Sequence, residues 1–213
     1  MFSPKISRWI NRWNRKIHIY LGLCLLWFLW VFSISGLLLN HPDWQFADFW
    51  PDRRQSSLEQ AIQMPLETED LARARNLMRQ LGISGEIEWT VTHPGVGRFD
   101  FRVVKPGQII EVKSDLKLNR ASMQRIKTNG WGFLKMLHTF TGVRLGDPRA
   151  QRDWWVTRFW SLSMDAVALG LIALLLSGFY QWFQSRRAMI LGSICFGLGI
   201  ASCAFFLVGL DWF

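Results

Sequence analysis

Residues 17–39 carry no formal charge with His18 neutral, and this run of 23 residues limits what the chain can become. At about 1.5 Å of rise per residue, a helix of that length covers the roughly 30 Å hydrocarbon layer of a bilayer. A cleaved signal peptide is the rival reading, because Lys5, Arg8, Arg12, Arg15 and Lys16 precede the run. The run is too long for a signal peptide's apolar core and ends in Leu39-Asn40-His41-Pro42, without a small-residue cleavage site, so an uncleaved anchor is expected. Two more apolar runs, about 166–183 and 188–210, repeat the pattern. Trp154, Trp155, Trp160, Tyr180 and Trp182 supply aromatic belts for the second.

Basic residues orient the three spans. Five positive charges and no acid stand before the first, and Arg186 and Arg187 separate the second from the third, which puts both places in the cytoplasm by the positive-inside rule. The amino terminus is then cytoplasmic and the carboxyl terminus extracytoplasmic. Ile6, Trp9, Ile10, Trp13 and Ile17 recur at helical spacing, as in an amphipathic helix lying among headgroups. The expected organisation is a basic helix over 1–16, spans over 17–41, 154–184 and 188–210, an extracytoplasmic domain over 42–130, and an interfacial segment over 131–153.

Composition agrees with a membrane protein. Half of the 213 residues are hydrophobic and 13 are tryptophan, which excludes a disordered, collagenous or disulfide-stapled chain. The net charge of +9 belongs to the flanks of the spans rather than to a nucleic-acid surface, so the bilayer is the expected partner and nucleic acid is not. Cys24, Cys195 and Cys203 lie inside apolar runs with no CxxC or CxxCH, which excludes covalent c-type haem and makes them apolar packers.

The long loop carries 17 basic and 14 acidic residues between positions 42 and 153. Leu71, Ala74, Leu77, Met78 and Leu81 predict a helix over 68–80 closed by Gly82. Ile87, Trp89 and Val91, then Phe99, Phe101 and Val103, then 109–113 after Lys105-Pro106-Gly107, alternate as antiparallel strands. One helix on a meander of three or four strands makes a small α+β unit. The fold class expected is thus a three-span α-helical membrane protein with an inserted α+β domain.

Four histidines are the candidate chemistry. His93 belongs to a 92–95 hairpin turn and reads as a solvated turn residue. His18 opens the first span and His41 closes it, about 34 Å away. His138 shares a helix face with Leu134, Leu137 and Thr141 and can approach His41. Haem iron takes two axial ligands on opposite sides of its plane, and imidazoles from two elements supply them in an apolar pocket, so His41 with His138 is the expected pair. His18 has no histidine partner on its side, so a second haem there needs a neighbouring subunit, another protein or a weak ligand such as Met189. Asp165, two turns beyond Arg158, is a candidate hydrogen-bond partner for a ligating imidazole, or an interfacial carboxylate balancing Arg158. Small residues, among them Ser35-Gly36 and Ser177-Gly178, allow close helix packing or room for a flat macrocycle. No GxGxxG, Walker loop, GxSxG or HExxH occurs, so electrons would come from a partner.

Arg15-Lys-Ile-His18-Ile-Tyr-Leu-Gly-Leu, Ser33-Ile-Ser-Gly-Leu-Leu-Leu-Asn-His41, Leu137-His138-Thr-Phe-Thr-Gly142 and Ser177-Gly-Phe-Tyr-Gln-Trp together resemble the PepSY-associated transmembrane family over residues 8–187. The inserted unit looks like the PepSY fold. Members of that family are bacterial inner-membrane proteins, several similar to ferric-siderophore or other iron reductases with b-type haems on histidines. The resemblance implies haem b on His18, His41 and His138 and electron transfer toward an extracytoplasmic acceptor such as ferric iron. The competing reading is a non-enzymatic membrane subunit whose outer domain binds a protein partner, or a homo-oligomer supplying further helices.

Overall fold

The computed structural model describes residues 4–144, 152–185 and 189–212. Arg186 and Arg187, read above as a cytoplasmic loop, lie outside them. The chain forms two compact units, Met1–Trp27 with Ala166–Phe213, and Phe28–Asp165.

The first helix, α1 (Pro4–Asn40), runs through both the basic segment and the apolar run. Positions 5–21 contain neither Gly nor Pro, so nothing in the backbone separates the two parts that the charge pattern distinguishes. The later helices α4 (Trp155–Gln184) and α5 (Met189–Trp212) match the other two apolar runs. All three are long and apolar enough to cross a membrane. Of their most apolar stretches only 17%, 6% and 0% of residues are buried within the chain, so this apolar surface suits a lipid environment.

The inserted domain lies within the Phe28–Asp165 unit. It comprises β1 (Arg54–Ala61), α2 (Asp70–Gln80), β2 (Glu86–His93), β3 (Arg98–Lys105), β4 (Gln108–Asp115) and β5 (Arg120–Lys127). The strands form one antiparallel sheet in the order β1-β5-β4-β3-β2. Its core sets Leu71, Ala74 and Leu77 of α2 against Ile87, Phe99, Phe101, Val103, Ile110, Val112, Ala121 and Met123 of the sheet. The period switches from about 3.6 in the helix to 2 in the strands, and that lets one apolar stripe cover one apolar face. The helix ends where Gly82 takes φ +61, the left-handed conformation that closes many helices.

The sheet is larger than the sequence pattern predicts. The outermost strand β1, Arg-Gln-Ser-Ser-Leu-Glu-Gln-Ala, is exposed along its whole length and has no alternation to betray it. Pairing with β5, from Arg54 opposite Lys127 to Ala61 opposite Arg120, holds it in place. A shift of register between Ile87 and Trp89 marks a bulge in β2 beside the buried Glu86.

Candidate functional site

The short helix α3 (Gly130–Thr139) delivers His138 from its last turn. Asn129 caps its start, its side-chain oxygen accepting from the Gly132 N–H at 3.0 Å, while the Asn129 amide donates to the Asp48 carbonyl at 3.3 Å. At the other end the His138 ring reaches α1. Its Nδ1 lies 2.8 Å from the Ser35 hydroxyl, and a Cβ on Gly36 would stand 3.3 Å from its Cε1. The missing side chain at Gly36 is what lets the ring approach the helix this closely. Phe32 lies beside the ring at 5.3 Å between centroids and in turn stacks on Trp160 at 6.3 Å.

The Ser35 oxygen is also 2.8 Å from the Val31 carbonyl and 3.1 Å from the Phe32 carbonyl. When the serine donates its proton to one of these carbonyls it accepts from the His138 Nδ1–H, and in that tautomer the lone pair lies on Nε2. His138 also lines an open cavity of about 440 Å³ with Ser33, Gly36, Leu37, Leu39 and Asn40. An imidazole oriented through Nδ1 by a neighbouring hydroxyl on the wall of a cavity is an arrangement compatible with metal ligation.

A site of similar construction occurs in the other unit. Asn11, Asn14 and His18 share a stripe of α1 at spacings of three and four. The Tyr180 hydroxyl donates to the Asn11 side chain at 2.7 Å, and Asn14 Nδ2 donates to the Ser177 carbonyl at 3.1 Å. The ring of His18 rests on Gly178, where a Cβ would lie 3.4 Å from its Cε1. Its Nδ1 is buried without a hydrogen-bond partner. Each of these histidines thus meets the glycine of a Ser-Gly pair on a neighbouring helix.

The structure brings His138 to Ser35 and Gly36 rather than to His41. Five residues from Gly36 to His41 turn a helix by about 140°, so His41 departs from another side of α1. Its ring stacks on Trp44, with centroids 4.5 Å apart and planes 5° from parallel. Among the described residues, His41 is not part of the wall of the His138 cavity. Asp165 shares an open cavity of about 570 Å³ with Arg152, Arg158, Ser161 and Leu162, on the same side as Arg158 as its spacing implies. The Arg158 guanidinium donates to the Arg152 carbonyl at 3.0 Å. His93 ends β2 with its Nε2 3.4 Å from the Asp100 carboxylate, a surface role.

One residue that pattern reading passes over ties the inserted domain to the residues that lead into α4. Glu86 is 1% exposed, and its two carboxylate oxygens accept from the backbone N–H groups of Asp153 and Trp154, each at 2.9 Å. A carboxylate thereby satisfies donors at the start of a 30-residue helix. Burial pushes the Glu86 carboxyl above its ordinary value of 4.5, against the pull of the two N–H groups, and the nearby Asp153 charge adds to the rise. Asp153 itself pairs with Arg75. Nothing in the sequence distinguishes Glu86 from a solvated glutamate at the edge of a strand.

Gly142, the last residue of the Leu137–Gly142 segment, packs beside the same junction. It has φ +65, and a Cβ there would strike the Thr157 side chain and stand 3.3 Å from Glu86 Cγ. Gly142→Ala is expected to cost about 2–3 kcal/mol, from the left-handed backbone together with the clash. Thermal unfolding of the detergent-solubilised chain, followed by tryptophan fluorescence, checks it. An unchanged midpoint would mean that the segment packs differently.

Comparison with protein-family models, with curated proteins and with solved structures found no match to this chain.

Proposed function

We propose that this chain is a haem-b-binding electron-transfer protein of the PepSY type in a bacterial inner membrane, its amino terminus cytoplasmic and its inserted domain periplasmic, acting toward ferric iron or a siderophore. The observation that carries the reading is the His138 ring, held at Nδ1 against the Ser35 hydroxyl and lining a cavity; with the proton on Nδ1, its Nε2 lone pair would be available to a metal.

His138, on the wall of its cavity, would hold the iron of a haem in this reading. His41 is stacked on Trp44, and His18 rests on Gly178. A further ligand would come from another chain, a second copy or a partner subunit. A bound haem supplies one-electron chemistry. The chain's own residues do the rest: Ser35 orients the imidazole, Gly36 admits it against α1, and Phe32 and Trp160 restrict the ring from the side. Asp165 shares its cavity with Arg158 and Arg152 rather than with an imidazole and serves better as a neighbour of Arg158.

One observation favours a second reading, the non-enzymatic membrane subunit. No residue in the most apolar stretch of α5 is buried within the chain, and apart from contacts such as Phe196 with Phe179 and Trp182 its surface is open to helices of a larger complex. The optical spectrum of protein purified from haem-replete cells separates the two. A Soret band with a reduced-minus-oxidised α-band supports the first reading, and a colourless, iron-free preparation leaves the second.

A further inference from the structure

Within the unit formed by residues 1–27 and 166–213 the sequence has seven basic residues and one acid, Asp211. Arg8, Arg12 and Arg15 recur at spacings of four and three and share one face of α1, beside the Asn11-Asn14-His18 stripe that meets α4. With Tyr180, Gln181, Gln184 and Ser185 they wall an open cavity of about 600 Å³. Its shape is fixed by the Tyr180–Asn11 and Asn14–Ser177 hydrogen bonds and by Gln184, which donates to the Tyr180 hydroxyl at 3.3 Å.

The cavity is rich in donors and poor in negative charge. Among the described residues no carboxylate pairs with Arg12 or Arg15. The amide nitrogen of Gln181 is shielded from solvent and has no acceptor, an unfavourable state unless a ligand provides one. Arginine side chains and a glutamine amide on the wall of one cavity suit a phosphate group. Apolar surface continues from it: Ile17 and Tyr20 on α1 and Phe179 and Phe183 on α4 are all exposed. A ligand that is anionic at one end and apolar along the rest matches both parts.

We propose that this cavity binds the phosphate headgroup of an anionic phospholipid, with Arg12 and Arg15 on the phosphate and Gln181 donating to it, its acyl chains lying along the exposed flank of α1 and α4. The inference stands apart from the haem reading and survives its failure.

The test is a native mass-spectrometric titration of the full chain in neutral detergent with short-chain phosphatidylglycerol, matched phosphatidylcholine and inorganic phosphate alone. Phosphatidylglycerol should bind selectively. Arg12→Gln/Arg15→Gln should weaken it roughly twentyfold, the effect of two basic side chains at a membrane surface, and Gln181→Leu should weaken it less. Lys16→Gln is the control, because that ammonium lies over the Trp13 ring, outside the cavity, and it should leave binding within about twofold. Equal binding of phosphatidylcholine, equal loss in Lys16→Gln, or full displacement by inorganic phosphate at the lipid's own concentration would overturn the proposal. If the double variant does not fold, the three-ligand comparison on the unaltered chain still decides.

Discussion

His138→Ala is expected to abolish the Soret and α-band difference between reduced and oxidised protein, while His41→Ala keeps it. The contrast follows from what the two rings already do. His138 is oriented by Ser35 on the wall of a cavity, whereas His41 spends its face on Trp44. Ser35→Ala retains the imidazole but removes the hydroxyl that orients it, and haem retention should weaken by about tenfold, as for other outer partners of a ligating histidine. Equal loss in His41→Ala would restore the intrachain pair, and an unchanged spectrum in His138→Ala would remove this site from the chemistry. A structural role alone would lower stability in His138→Ala without any spectral signature to lose.

Glu86→Ala is expected to destabilise the chain by about 4 kcal/mol, because two backbone N–H groups at the start of α4 lose their acceptors in a buried place. Glu86→Gln is the finer probe, since it preserves shape and removes titration. With its carboxyl raised above 4.5, the native state holds the Glu86 proton more tightly than the unfolded chain does. This contribution is fully present below 4.5 and is lost as pH rises from there through the elevated native value. The unfolding midpoint of the unaltered protein relative to Glu86→Gln should therefore fall as pH is raised above 4.5 and level off once Glu86 is ionised in both states. Glu67 works in the opposite direction. Its carboxyl is lowered, chiefly by the Asn76 amide at 2.7 Å, so its contribution is present above 4.5 and is lost as pH falls through the lowered value. A pH-independent difference between the two proteins would show that Glu86 is not held as a buried carboxylate.

The three long apolar helices were readable because an uninterrupted apolar run of about 20 residues has few other uses in a folded chain. The helix over 70–80 and the strands around Ile87, Phe99 and Ile110 were readable because each buries one face, and burial of one face imposes a period. β1 was not, because a strand held by backbone pairing at a sheet edge needs no apolar alternation. The Ser-Gly pairs were legible as small residues that permit close approach, yet only contact geometry shows that each receives a histidine ring. Arg12 and Arg15 were legible as topology signals, while the cavity they wall depends on Tyr180 and Gln181, some 165 residues away in sequence.

Local chemistry along the chain was enough to specify which segments are apolar helices, which face of each domain element is buried, and which few side chains are able to ligate or titrate. Those properties depend on residue type and on periods of 2 or 3.6, and neighbours in sequence set both. Which imidazole meets which hydroxyl, and which carboxylate is sealed against a helix start, was decided only by tertiary structure. Such contacts join positions as far apart as Ser35 and His138, or Glu86 and Trp154, and a shift of one ångström or one helical step would exchange one partner for another.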